Sequence, residues 1–137
     1  MKRIVLISCV SMKLKRSAKA RDLYISPLFK KALAYTYTLN PHNIFILSAK
    51  YYLVPLDQII NPYDLTLNDM STREIKAWAD KVTEQLKDKA DLDRDEFVFL
   101  AGTNYRRFLA PRMKIYKVPM EGLGIGKQLR FLTNKLK

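Results

Sequence analysis

Cysteine and histidine are nearly absent from this chain, at one residue each, and their scarcity removes whole classes of chemistry. A lone Cys9 excludes an internal disulfide and any multi-cysteine metal site. A lone His42 makes a Ser-His-Asp triad depend on that single ring and leaves zinc short of its usual donors. The expected chemistry therefore uses no metal and no cofactor. Glycine and proline are sparse as well, four and six in 137 residues, and no linker is visible. Residues 1–137 read as a single domain. Long apolar runs are missing. The stretch from Ile4 to Ile7 is far below the ~20 residues that a membrane span needs. The basic amino terminus leads into a strand-length apolar piece with no cleavage-type region, so no signal peptide and no membrane contact are expected. A single thiol without a secretion signal fits the cytoplasm. Nothing in the sequence sets an oligomeric state.

Acidic residues are also few, 13 against 25 lysines and arginines, which gives a formal net charge of +12. Such an excess favours a polyanionic partner: nucleic acid, a nucleotide or a phosphorylated metabolite. The plainer alternative is a charged, solvated surface. No arginine-rich tail and no DNA-reading motif accompanies the charge.

The apolar residues that are present fall into short runs separated by helical patterns. Arg3 to Ser8 reads as a first strand, continuous in Ile4, Val5, Leu6 and Ile7, as expected for a strand covered on both faces. The stretch containing Lys13, Lys15, Arg16, Lys19 and Arg21 reads as a loop. Ser26-Pro27 opens a helix, with Ser as N-cap and Pro in the first turn, and Asn40-Pro41 stops it. Asn43 to Leu47 is a second strand, followed by a Pro-punctuated loop through Asp64. Ser71-Thr72-Arg73-Glu74 is a capping box for a helix with Ile75, Trp78, Ala79, Val82 and Leu86 on one face. Phe97 to Ala101 and Lys114 to Val118 are the third and fourth strands. A short helix through Tyr105 lies between them, and a last helix carries Ile125, Leu129, Leu132 and Leu136. Alternating strands and helices predict an α/β fold, a three-layer αβα arrangement around a mainly parallel four-stranded sheet in the order 2-1-3-4.

In an open parallel sheet, ligands bind beyond the carboxyl ends of the strands. Those ends here are Ser8-Cys9, Ser48-Ala49-Lys50, Gly102-Thr103-Asn104 and, slightly later, Glu121-Gly122, all small or polar. They are expected to line one crevice. Lys50 can neutralise a phosphate, and Tyr51 and Tyr63 can pack on a base or sugar. Asp57 and Asp64 are the candidate catalytic carboxylates, able to bind sugar hydroxyls or activate water; local turn capping is the alternative for Asp64. Cys9 is either a nucleophile, with Lys13 lowering its pKa, or a small buried thiol near a ligand. Ser11 and Ser48 offer hydroxyls, and Ser26 marks a helix start that can face an anion or merely cap itself. Tyr24 either stacks on a base or plugs the loop. Gly122-Leu123-Gly124-Ile125-Gly126 reads as a tight turn more than a phosphate loop. Arg106, Arg107 and Arg112 are either a solvated face or the rim of a polyanion groove.

Several of these segments also carry a resemblance. Ser48-Ala49-Lys50-Tyr51, Leu53-Val54-Pro55-Leu56-Asp57 and Pro62-Tyr63-Asp64-Leu65 resemble the YaaA-like peroxide-stress proteins. Ser8-Cys9, Lys13, Asp22-Leu23-Tyr24-Ile25-Ser26-Pro27-Leu28-Phe29 and Leu100-Ala101-Gly102 with Tyr105 are similar to a smaller family of standalone domains of unknown function. The YaaA-like resemblance implies DNA binding and protection during oxidative stress. Tyr52 stands where those relatives usually carry glycine, and a positive φ at that position would strain it. The functional expectation is binding of a nucleotide or nucleic-acid base at the strand ends, with hydrolysis of an N-glycosidic bond as its enzymatic form. The competing expectation is a non-enzymatic DNA-binding or stress-response module.

Overall fold

The computed structural model describes residues 1–8 and 12–137. The first half of the chain forms β1 (Arg3–Ser8), β2 (Ala18–Lys19), α1 (Ala20–Leu23), α2 (Pro27–Tyr37), β3 (Asn43–Ser48), β4 (Tyr52–Pro55) and β5 (Ile59–Ile60). The second half forms α3 (Thr72–Lys87), β6 (Glu96–Leu100), α4 (Thr103–Arg106), β7 (Ile115–Lys117) and α5 (Ile125–Lys135). The central sheet has five strands in the order β4-β3-β1-β6-β7. All neighbours run parallel except β4, which is antiparallel to β3.

Strand β1 sits in the middle because its four central side chains, Ile4 to Ile7, are fully buried. Each contributes about 1.5–3 kcal/mol when removed from water, which only a strand covered on both faces can collect. Ile4 and Leu6 join Phe97 and Phe99 of β6 beneath Ile75, Trp78, Val82 and Leu86 of α3. Val5 and Ile7 face the other way, with Val98 and Leu100, against Phe29, Ala32 and Tyr35 of α2 and Leu132 of α5. Alternate residues of one apolar run thus feed two cores, and the sheet lies between helices.

Local sequence sets the helix starts. Ser26 Oγ accepts from the Phe29 N–H at 3.2 Å, with Pro27 in the first turn. Both hydrogen bonds of the capping box form at α3, between Ser71 and Glu74. After α2 the chain turns at Asn40, which takes a φ of 52°, a left-handed conformation that Asn tolerates better than most residues.

Two expectations require correction. The sheet has five strands, not four, because Tyr52–Pro55 folds back on β3 instead of forming a loop. Leu53 and Val54 are buried in that hairpin, and Pro55 fits because an edge strand leaves one row of backbone groups unpaired. The cationic stretch before α2 is not all loop. Ala18 and Lys19 pair antiparallel with Ile60 and Ile59 as β2 and β5, and α1 follows at once.

The amino-terminal end of the sheet is held by carboxylates. The backbone N–H groups of Lys2 and Asp91 donate to the Asp95 carboxylate at 2.9 and 2.8 Å. Glu96 takes Arg3 at 2.6 Å and Lys117 at 3.3 Å. Burial alone would raise both acids. The hydrogen bonds from Asp91 and Lys2 outweigh it for Asp95, and those from Arg3 and Lys117 for Glu96, so both lie below the ordinary carboxylate range.

Candidate functional site

The chain reverses direction across the sheet between β1 and β6. From β1 it crosses through α2 to β3, and from β3 it crosses back through α3 to β6 on the far side of β1. At the carboxyl ends of these two central strands lies a cleft of ≈380 Å³. Ser8 ends β1 in its wall, and Leu100, Ala101 and Gly102 leave β6 there. The Gly102 N–H donates to Ser8 Oγ at 3.1 Å, tying the two strand ends together and leaving the Ser8 proton to donate elsewhere.

The other walls come from segments that follow the strands. Leu28, Phe29 and Ala32 of α2 form an apolar side, and Val118 and Met120 beyond β7 extend it. Ser26, Asn68, Thr103, Tyr105, Arg106, Glu121 and Gln128 are among the polar residues of the lining. Gly122 bends the chain at φ 80°, in the left-handed region where glycine carries no side-chain penalty. Helix α5 then starts at Gly124 with no side-chain cap, and its first residue, Ile125, lines the cleft. The Gln128 amide donates to Leu123 O at 2.8 Å, which leaves the Gln128 carbonyl as an acceptor. Tyr105 Oη accepts from the Leu67 N–H at 3.3 Å, and the Asn104 amide donates to Asn68 Oδ1 at 3.0 Å. The segment around Leu67 is thereby drawn over the end of β6.

A second cluster lies beside the cleft, at the end of β3. Ser48 is fully buried, and its Oγ accepts from the Tyr51 N–H at 2.9 Å while donating to Tyr63 Oη at 2.9 Å. Tyr63 and Tyr24 share a hydrogen bond between their hydroxyls. Residues 12–14 run beside residues 23–25, with Leu14 N–H on Leu23 O and Ile25 N–H on Met12 O. That pairing puts Lys13 Nζ 4.6 Å from the Tyr63 ring centroid. The Tyr51 ring meets the Tyr63 ring edge-on at 5.6 Å. Trp78 of α3 donates its indole N–H to Ser48 O at 2.9 Å, fixing the strand end from below. Phe29 joins the two regions, since it lines the cleft and its ring lies 5.1 Å from that of Tyr24.

The residues singled out from sequence thus fall into groups. Ser26, Gly102 and Tyr105 line the cleft. Lys13, Tyr24, Ser48, Tyr51 and Tyr63 form the phenol cluster beside it. Lys50 is exposed, with its Nζ 5.4 Å from the Tyr51 ring centroid. Asp57 is exposed on the far turn of the β4 hairpin and pairs with Arg21 at 3.0 Å. Asp64 is exposed next to Tyr63. Neither carboxylate lines the cleft. Cys9 and Ser11 lie outside the described residues. The expected common crevice is corrected for one strand end: Ser48 to Lys50 do not line the cleft, because β3 turns straight into β4 and caps its own terminus. Glu121 was expected at the strand ends and Arg106 as one reading of a cationic rim, and both line the cleft; Gln128 also lines it and was not singled out. Gln128 had a signal, since it follows Ile125 at the three-residue spacing that keeps one helix face. Among the described residues, no group of three His, Cys, Asp or Glu side chains is placed to hold a metal ion. No helix among them is long and apolar enough to cross a membrane.

The chain belongs to the family of unknown function DUF6884, which it matches over residues 4–134. No curated protein and no solved structure matches it.

Proposed function

We propose that the protein binds a nucleotide or a nucleic-acid base in the cleft beyond β1 and β6. One observation carries this reading: a cleft of ≈380 Å³, lined by both apolar and polar residues, opens at the switch point of a mainly parallel sheet. Ligands of open α/β sheets bind at such points. The fold does not choose the ligand. The choice of a nucleotide rests on the net charge of +12 and on Arg106, Ser8 and Thr103 among the residues that line the cleft. An apolar wall suits a flat base, and these donors suit a phosphate. The resemblance to YaaA-like proteins agrees with a nucleic-acid or nucleotide partner.

In its enzymatic form the reading is N-glycosidic hydrolysis, in which a carboxylate stabilises an oxocarbenium-like state or orients water. Asp64 and Asp57 are the carboxylates assigned to it. Both are exposed outside the cleft, so a substrate for them is a polymer lying across the β4 hairpin and the Tyr63 loop. The non-enzymatic alternative, a DNA-binding stress-response module, draws on the cations Lys13, Lys15, Arg16 and Lys19 ahead of α2.

The deciding experiment is a titration of the protein against nucleosides, nucleotides, and single- and double-stranded DNA, with release of free base measured in parallel. Binding of a nucleoside or nucleotide supports the cleft reading. Base release that Asp64→Asn or Asp57→Asn abolishes supports the hydrolytic form. Binding of duplex DNA alone, with no base release, transfers the function to the surface module.

A further inference from the structure

We infer that the ligand of the cleft is a single nucleoside monophosphate, oriented by Arg106 at its phosphate and by Glu121 at its ribose. This rests on the reading of the cleft as a nucleotide site and goes beyond it in naming the form of the nucleotide and the residues that orient it. Arg106 is half-buried, Glu121 is exposed, and both line the cleft. Among the described residues, neither side chain takes part in an ion pair, with the other or with any third group. Four of the 13 acids are ion-paired among the described residues: Asp57 with Arg21, Asp80 with Arg112, Glu84 with Lys87, and Glu96 with both Arg3 and Lys117. What sets Glu121 and Arg106 apart is that they line one cleft with opposite charges.

The two groups have opposite chemistry. A guanidinium offers a planar fork of donors and no acceptor, which fits a phosphate. An ionised carboxylate offers acceptors only, which fits a pair of hydroxyl donors. A ligand that satisfies both carries an anion at one end and donors at the other. A ribonucleoside monophosphate has this layout, with its base left for the apolar wall of Leu28, Val118 and Met120. The Ser8 and Thr103 hydroxyls add donors at the same strand ends. The volume of ≈380 Å³ is near the low end of small-molecule pockets, about 300–1,000 Å³, and so fits one nucleotide. A strand of nucleic acid needs a groove several nucleotides long, with aromatic faces on which bases stack. Tyr105 in the cleft lining is buried with its ring edge-on to Trp78, and Tyr24 and Tyr63 are bonded to each other beside the cleft.

The test is calorimetric titration of the full chain with the four ribonucleoside monophosphates, their nucleosides and their 2′,3′-dideoxy monophosphates. Free amino acids and a short single-stranded oligonucleotide complete the panel. At least one monophosphate should bind about tenfold or more tightly than its nucleoside, the scale of a charged hydrogen bond. Arg106→Gln should remove that preference and leave nucleoside affinity unchanged. Glu121→Gln should weaken the ribonucleotide about tenfold and leave the dideoxy form unaffected. Both variants should melt with the wild type, because neither side chain holds the fold. Monophosphate binding that both variants leave intact overturns the assignment of Arg106 and Glu121 while the nucleotide reading stands. Oligonucleotide or nucleoside binding without monophosphate binding overturns the mononucleotide form and again spares that reading. Binding of amino acids alone, which also pair an anion with a donor, overturns both, as does no binding at all.

Discussion

At the residue scale, Glu96 and Asp95 make the fold acid-sensitive in a definite direction. Both carboxyls are held below their ordinary range in the folded protein, by Arg3 and Lys117 for Glu96 and by the Asp91 and Lys2 N–H groups for Asp95. A depressed folded pKa means that their contribution is complete above the unfolded value and lost as pH falls through the folded one. Stability should therefore be flat near neutrality and decline below about pH 4, the ordinary carboxylate range. Glu96→Gln should lower stability at neutral pH by about 1.5–3 kcal/mol and reduce that acid-dependent decline, as read by urea unfolding at several pH values. Tyr52 is a second residue with a definite cost. It has a φ of 66°, in the region that disfavours side chains, and its ring lies 4.2 Å beneath Lys81 Nζ. Tyr52→Gly relieves the backbone and loses the ring, so its stability should stay within about 1 kcal/mol of wild type. Tyr52→Val loses the ring and keeps the strain, and it should unfold about 1–2 kcal/mol more easily than Tyr52→Gly.

At the element scale, α3 carries the most local information and the clearest energetic test. Its capping box, its apolar face and buried Trp78 all follow from a strict helical period between Ser71 and Leu86. Ser71→Ala should cost about 1 kcal/mol in thermal unfolding, because it frees one helix-end donor without touching the core. The starts of β1, α2 and α5 were legible for similar reasons, in a continuous apolar run, a Ser-Pro cap and a Gly-rich turn. What the sequence concealed depends on pairing. Tyr52–Pro55 looks like loop because it is short, contains proline and lies beside charged residues, yet Leu53 finds Gln85 Oε1 of α3 for its N–H at 3.0 Å. Ala18–Lys19 and Ile59–Ile60 are strands only through each other. The site was half legible. Strand-end reasoning reaches Ser8, Gly102 and Glu121, but whether Ser48 faces the cleft turns on the hairpin, which no local pattern announces.

At the scale of the whole molecule, the two ends of the sheet do different work. The amino-terminal end carries the Asp95 and Glu96 anchors, and the carboxyl end carries the cleft. Substitutions in the cleft should thus alter binding with little loss of stability, while those at the other end should do the reverse. The charge belongs to this scale too. If nucleic acid is a partner, affinity should fall steeply between 50 and 200 mM salt, as lysines and arginines displace counterions from phosphate. A filter-binding series in salt measures that slope, and a flat response would confine the +12 charge to solubility. Trp78 extends the reach of such measurements. It is the sole tryptophan, its indole N–H is bonded to Ser48 O at 2.9 Å, and its ring meets Tyr105 edge-on at 5.7 Å. Tyr105 lines the cleft, so an occupant is one aromatic contact away from the protein's only long-wavelength fluorophore. The native chain is its own optical sensor: ligand entry should shift Trp78 emission without any label, and the same signal should follow unfolding of the α3 face of the core.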